Sequence, residues 1–512
     1  MNEFSEDKLI EQTAIKLFAE LWGRENFLNA FADGDDAKLE RDNRGQVVLL
    51  KYLRPALRKL NPDVPEQAIE QAVEELTRDR SNTSMVNANA DIWKLVRDGF
   101  KAQIQNEKGE FETITIKVVD FGNPENNHYF LVSQLWITGD LHTRRTDLVG
   151  FVNGLPLVLV ELKKIHKNLR NAYSENLRDY KDTIPQLFWY NAFIIISNGA
   201  ESKVGTITGA YEHFNEWKKV DDEKEKGQVS LKTILEGTCR KDRLLDIIEN
   251  FTLFDDKKGR IKIVSRYFQL LGVNSAFERI KDRKQNKGRL GVFWHTQGSG
   301  KSYSMIFLSQ KVLRKLTGNF TFVVITDRDE LDGQIYRNFL NTGAVYEEEV
   351  QADSIANLRE LLKADHRHIF TLIHKFGTKP GEAPPMLSER DDIIVMADEA
   401  HRTQYDRLAQ NMHIALPNAS FIGFTGTPLM AEGEEKTRET FGDYVSTYNF
   451  SQSVEDGATV PLYYENRVPK LENANENIQN DLERVMDFYE LSSDEEEKLE
   501  REFSTFYHLV SR

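Results

Sequence analysis

The rhythm of apolar and polar positions changes along the chain. Up to about residue 105 the spacing is helical: Leu9, Ile15, Leu17, Phe18 and Leu21 fall on one stripe, and Ala68 to Leu76 follows Pro65 as a second helix. Residues 111–165 alternate as strands do, with Phe111–Val119, Tyr129–Ile137, Leu148–Val152 and Leu157–Leu162 as candidates. Asn153 and Gly154 separate the last two strands; both tolerate the positive φ of a tight turn, which predicts a hairpin. A helix is expected over Asn168–Tyr180, then an apolar strand over Ala192–Ser197. From about residue 291 short apolar strands alternate with helical stretches: Val292–Trp294, Phe320–Thr326, Ile369–Ile373, Ile393–Ala397 and Phe421–Phe424. Such alternation predicts a parallel sheet with crossover helices. The polar stretch Asp255–Arg260 reads as a linker between the two regions.

Composition narrows the class. At about 100–200 residues per domain, 512 residues suggest roughly three domains. A 40% hydrophobic content with 10% aromatics supplies material for packed cores and excludes a wholly disordered chain. Apolar runs such as Leu157–Val160 and Phe193–Ile196 are strand-sized, far below the ~18–20 residues of a membrane span. The acidic start Met1-Asn2-Glu3-Phe4-Ser5-Glu6-Asp7 lacks the basic and apolar regions of a signal peptide. Cys239 is the only cysteine, which excludes an internal disulfide and a cysteine-based zinc site. A soluble cytoplasmic protein is expected. The net charge of −15 is uneven: residues 471–503 hold twelve Asp and Glu against three Lys and Arg, leaving −6 for the rest. A nearly balanced remainder can still present a basic groove to phosphates.

Gly298-Ser299-Gly300-Lys301-Ser302 follows an apolar strand and precedes the apolar run Tyr303–Leu308. Glycines let the backbone curl so that successive N–H groups face phosphate oxygens at a helix N-terminus. Lys301 would reach the β/γ-phosphates, Ser302 would offer a hydroxyl to Mg2+, and Thr296 and Gln297 lead into the loop. His295 stands where a phosphate loop usually carries its first glycine. Downstream, the strand Ile393–Ala397 runs into Asp398 and Glu399; the first carboxylate can hold the same Mg2+ and the second can polarise the attacking water. Thr425-Gly426-Thr427 follows a further strand as a nucleotide-sensing, coupling loop. Gln269, upstream, carries an amide able to bond both a donor and an acceptor on an adenine edge. In this order the motifs resemble the first RecA-like domain of a superfamily-2 helicase or translocase. Such motors use arginine fingers from a second RecA-like domain, of which only the start is expected here, so the chain reads as truncated.

In the N-terminal region Asp147 precedes the hairpin, and Glu161-Leu162-Lys163 closes its second strand. Residues i and i+2 of a strand share a face, so Glu161 and Lys163 project together. Asp147 and Glu161 can then share a divalent cation that generates a hydroxide nucleophile, with Lys163 holding the water or neutralising the phosphorane. A salt-bridged strand edge is the plain alternative, but charges ending the apolar run Leu157–Val160 are costly unless they coordinate something.

The order nuclease then superfamily-2 motor resembles the restriction (R) subunit of type I restriction–modification enzymes. Further stretches carry the resemblance: Ile10–Ile15, Val118–Asn127, Arg144–Leu157, Trp294–Ser302 and Thr326–Leu331, with coverage from about residue 9 to residue 465. His295 is what this family carries. The resemblance implies an ATP-dependent, Mg2+-requiring endonuclease subunit that translocates duplex DNA and cuts it away from the recognition site. It would work beside methyltransferase (M) and specificity (S) subunits, which use S-adenosylmethionine and read the target; that cofactor is not expected on this chain. By the same similarity Asp147, Glu161 and Lys163 form the nuclease centre. Glu11 is either a further carboxylate near the metal or one charge on a solvated helix face. The family often has Pro where Thr146 stands, and Q-x-x-x-Y where this chain has Asn176 and Tyr180, the accessory pair.

The expected fold is therefore α/β: a PD-(D/E)xK nuclease-like mixed α/β endonuclease domain over 1–255, a RecA-like parallel-sheet P-loop domain over 256–458, and the start of a second RecA-like domain over 459–512. The competing readings are a DNA motor whose N-terminal region only binds DNA or partner subunits, and an RNA helicase.

Overall fold

The computed structural model describes residues 6–31, 36–105, 109–327, 329–346, 350–377, 384–398, 405–427, 438–460 and Arg484. Met1–Thr459 forms one compact unit and Val460–Arg512 another. All of the acidic segment 471–503 but Arg484, and nearly all of the expected second RecA-like start, lie outside the described residues.

Two sheets organise the first unit. The N-terminal sheet has seven strands in sequential order: β1 (Phe27–Asn29), β2 (Tyr129–Ser133), β3 (Leu148–Val152), β4 (Leu155–Leu162), β5 (Phe193–Ser197), β6 (Ser202–Gly205) and β7 (Asn215–Glu216). It is mixed: β1 pairs with β2 and β4 with β5 in parallel, the other neighbours antiparallel. β2 to β5 are buried on both faces, except Leu162 at the end of β4. Helix α1 (Glu6–Trp22) covers one face, close enough that a Cβ on Gly150 of β3 would meet Trp22 at 2.7 Å. Its buried line is Ala14, Phe18 and Trp22, with Leu9 exposed and Ile15, Leu17 and Leu21 half-buried. The expected stripe is thus rotated, because the three spaced four apart are the ones that face the sheet.

The hairpin turn forms as the sequence predicts, Asn153 at φ 48° and Gly154 at φ 79°. The expected strand Tyr129–Ile137 divides instead: Gln134 takes φ 56°, and Trp136–Thr138 leaves to pair with Thr143–Arg145. The expected helix Asn168–Tyr180 is interrupted by a π-helical turn over Ala172–Leu177. Residues 255–260 are not a free linker. Thr252–Asp255 pairs antiparallel with Ile261–Val264, Tyr303 Oη donates to Asp255 Oδ2 at 2.7 Å, and Asp256 N donates to Asn341 O at 3.0 Å.

The second sheet is parallel throughout, as the alternation implies. Its strands are β8 (Arg289–His295), β9 (Thr321–Thr326), β10 (His368–Leu372), β11 (Ile393–Asp398), β12 (Ser420–Thr425) and β13 (Tyr444–Tyr448), ordered β10-β9-β11-β12-β8-β13. Helix α3 (Tyr267–Lys281) packs on β8 and β13, α4 (Lys301–Lys315) packs on α3, and α2 (Lys241–Asn250) reaches α4. Lys311 of α4 pairs with Asp246 of α2 at 2.7 Å, and Arg314 Nη1 donates to Glu249 O at 2.7 Å. Among the described residues no helix is long and apolar enough to cross a membrane. Cys239 is buried and free.

Candidate functional sites

Strand register gathers the N-terminal acids. β3 and β4 pair Leu148 with Val160, which sets Asp147, one residue earlier, beside Glu161, one residue later. Asp147 Oδ2 accepts the main-chain N–H of Leu162 at 2.7 Å. Glu161 is only 1% exposed; its Oε1 accepts from Asn176 Nδ2 and, at 3.5 Å, from Lys163 Nζ. Lys163 Nζ also donates to Asn176 Oδ1 at 2.7 Å. Asn176 lies in the π-helical turn, so the shorter amide still reaches both members of the pair. Tyr180 Oη donates to Arg145 O at 2.9 Å, and Glu11 Oε2 accepts from Gln134 Nε2 at 3.0 Å.

The electrostatics follow from burial. Desolvation pushes the Asp147 carboxyl up to about 6, against the Leu162 N–H and Lys163, with Glu11 adding to the rise. Glu161 is held well above its ordinary value by burial and then by Asp147, despite Lys163 and Asn176. Glu161 Oε2 is buried without a hydrogen-bond partner. An orphaned carboxylate oxygen beside a second raised carboxyl suits a divalent cation, which would supply the missing ligand and favour both ionised forms. The acid cluster is a pair, however: among the described residues no three His, Cys, Asp or Glu side chains gather into a metal-holding group.

Asp147 and Lys163 line a cleft of about 750 Å3 together with Glu11, Gln134, Arg145, Lys164 and Lys167, among others, while Glu161 is buried behind them. Glu11, half-buried, lines this cleft. The sequence reading missed Gln134, Arg145, Lys164 and Lys167; the only local signal was the basic run around Lys163.

At the second sheet, Gly298 and Gly300 both take φ 85°, and Lys301 and Ser302 open α4. The Ser299 hydroxyl is buried without a partner, and Lys301 Nζ donates to His295 O at 3.2 Å. Thr296 N donates to Tyr448 O at 2.9 Å, tying the loop to β13. A Cβ on Gly426 would lie 3.1 Å from Lys301 Nζ and 3.4 Å from Gln297 N, so Thr425-Gly426-Thr427 lies against the loop. Asp398 ends β11 opposite Phe424, and Thr425 lies opposite Trp294, so the phosphate loop, Asp398 and the Thr-Gly-Thr loop meet at the C-terminal ends of three adjacent strands. Glu399 lies outside the described residues. Gln269 uses its amide internally: Oε1 accepts from Arg266 N at 3.0 Å and Nε2 donates to Gly300 O at 3.1 Å. The amide therefore braces the phosphate loop in this structure instead of standing free for an adenine.

Fold and sites together define an α/β chain with two sheets, one holding a buried acid pair behind a cleft and the other, parallel, carrying a P-loop of the ATPase type. Residues 3–213 match the family model for the type I restriction enzyme R protein N terminus, and residues 268–498 match that for the SWI2/SNF2 ATPase. The chain is 39% identical over 459 residues to the type I restriction enzyme HindI endonuclease subunit of Haemophilus influenzae, covering 84% of this chain and 43% of that protein. It is 32% identical over 520 residues to the putative type I restriction enzyme MjaIXP endonuclease subunit of Methanocaldococcus jannaschii, covering 94% and 48%. Among solved structures, the fragment of a putative HsdR subunit of a type I restriction enzyme from Vibrio vulnificus YJ016 is similar over 64% of this chain and 56% of that one, at 16% identity and a TM-score of 0.27. The chain belongs to the type I restriction enzyme R protein family, and it spans about half the length of the curated relatives it matches.

Proposed function

We propose that this chain carries the nuclease centre and the first half of the nucleotide site of an ATP-driven restriction motor. The cutting reading rests on one observation above the rest: the orphaned Oε2 of buried Glu161 beside Asp147. Asp147 and Glu161 would hold Mg2+, which when bound supplies a nucleophilic hydroxide and stabilises phosphodiester charge. Lys163, held by Asn176, would steady the water or neutralise the phosphorane, and Lys164, Lys167 and Arg145 would line the path of duplex DNA. Tyr180 would hold the strand that carries Arg145. We assign this domain the PD-(D/E)xK nuclease fold over residues 1–255, the first RecA-like domain to 256–458, and the start of a second to 459–512.

At the other site the Gly298–Ser302 loop would cradle the ATP phosphates, with the Ser299 hydroxyl and Lys301 turned to them. Ser302 and Asp398 would hold Mg2+, Glu399 would act on the attacking water, and Thr425-Gly426-Thr427 would couple nucleotide state to DNA movement. Thr296, Gln297 and Gln269 would fix the loop. M and S subunits would supply target recognition. The test is the assembled enzyme containing this chain. Asp147→Ala or Lys163→Ala should abolish cleavage and leave ATP turnover, while Lys301→Ala or Asp398→Ala should abolish both. Unchanged cleavage in the first pair would remove the nuclease reading, and stimulation of turnover by RNA over duplex DNA would replace the substrate.

A further inference from the structure

His295, which stands in place of the usual first glycine of the phosphate loop, is fully buried at the end of β8. Its Nε2 lies 2.6 Å from Ser446 Oγ of β13. Ser446 Oγ in turn donates to Oε1 of Glu223, whose other oxygen accepts the main-chain N–H of Thr447 at 2.9 Å. Glu223 comes from the N-terminal region, between β7 and α2, and crosses to the far sheet to make both contacts. Counting hydrogens fixes the direction of the chain. An ionised Glu223 only accepts, so the single Ser446 proton points to it, and Ser446 must accept from His295 Nε2–H. That leaves His295 Nδ1 unprotonated, and it is indeed buried without a partner. The backbone oxygen of this same histidine receives the Lys301 ammonium at 3.2 Å.

We propose that Glu223 is a positioning residue for the nucleotide site: acting through Ser446 and His295, it fixes the base of the phosphate loop and the resting place of Lys301, so that the N-terminal region helps set the affinity for ATP. The inference rests on the nucleotide reading above. The geometry makes it more than interdomain glue. The tie of Lys315 to Glu249 at 2.5 Å, by contrast, joins α4 at its far end and does not touch the loop. Burial raises the Glu223 carboxyl above its ordinary value, with Ser446, the Thr447 N–H and Lys219 opposing and Asp222 adding to the rise.

The experiment is titration of the 512-residue chain with Mg2+ and the fluorescent nucleotide mant-ATP. Glu223→Ala and Ser446→Ala should each weaken binding about tenfold, about 1.4 kcal/mol. Glu223→Gln should recover most of that loss, because the amide oxygen still accepts from Thr447 and the NH2 group can donate to Ser446, reversing the chain without breaking it. Lys315→Met, which loosens the same two regions away from the loop, should bind as the unaltered chain does. Alanine variants that bind normally would overturn the inference, as would losses in Glu223→Gln and Lys315→Met equal to those of the alanines. An unaltered chain that binds no mant-ATP, or Lys301→Ala binding as tightly as it, would instead overturn the nucleotide reading.

Discussion

Leu162 gives its main-chain N–H to Oδ2 of Asp147 at 2.7 Å, so the first acid of the cleft is pinned to the strand that carries the second. Side chain and backbone thus fix the spacing of the carboxyls before any ligand arrives.

That fixation makes Asp147 and Asn176 separable. Asp147→Asn should lower cleavage by more than about 100-fold, since it removes a charge placed to hold the cation. Asn176→Ala should cost about 10–100-fold, because it only orients Lys163 and Glu161. Single-turnover cleavage by the assembled enzyme, with ATP turnover as reference, checks both. Equal losses would mean that Asn176 itself meets the substrate.

The pH dependence of cation binding has a definite sign. Burial pushes the Asp147 carboxyl up to about 6, and a carboxyl must lose its proton to ligate. Mn2+ affinity should therefore fall as pH drops through about 6, and the higher-lying Glu161 should extend the fall above it. Lys163 draws the Asp147 value down, so Lys163→Met should move the whole profile to higher pH. Calorimetric titration between pH 5 and 8, as an order-of-magnitude window around that value, would reveal it. A profile flat across that range would contradict the burial argument.

Lys262 offers a stability test away from both sites. Its buried ammonium donates to Asn89 Oδ1 at 2.9 Å and Asn191 O at 2.6 Å, two neutral oxygens, and burial draws its pKa down to about 7. An unfolded lysine holds its proton to about 10.4, so between these values the unfolded chain binds more protons and stability rises with pH. The rise is at most about 1.4 kcal/mol per pH unit. Lys262→Met should flatten it, as urea unfolding across that window would report. Identical slopes in the two proteins would show the lysine to be hydrated.

Gly154 is a tightly constrained turn position. An added Cβ would lie 2.4 Å from Leu49 O and 2.8 Å from Leu53 N, at φ 79°. Gly154→Ala should cost about 1–3 kcal/mol in unfolding free energy, the usual scale of backbone strain. Cleavage should fall with it, because this turn, together with the register shift between Gly150 and Phe151, brings Asp147 beside Glu161.

What could be read in advance was what local pattern encodes. The Asn153-Gly154 turn, the parallel sheet, and the order of Lys301, Asp398 and Thr425 all follow from neighbours in sequence. The Gln134 kink was not visible, since a lone residue at positive φ leaves no mark in an apolar run. Nor was the π-helical turn, which changes hydrogen-bond partners without changing the residues. Glu223 was wholly hidden, because it meets Ser446 from 223 positions away and looks locally like one more acid in a polar loop. Asp255–Arg260 misled for the opposite reason: polarity marks exposure, and an exposed hairpin turn is as polar as a tether.

That last stretch governs how the molecule can be dissected. Severing the chain at residue 255 would split the two-stranded ribbon Thr252–Val264 and strip Tyr303, just after the phosphate loop, of its carboxylate acceptor. An N-terminal half and a C-terminal half prepared by cutting there would each carry a torn edge, so separate preparations should begin by keeping that ribbon whole.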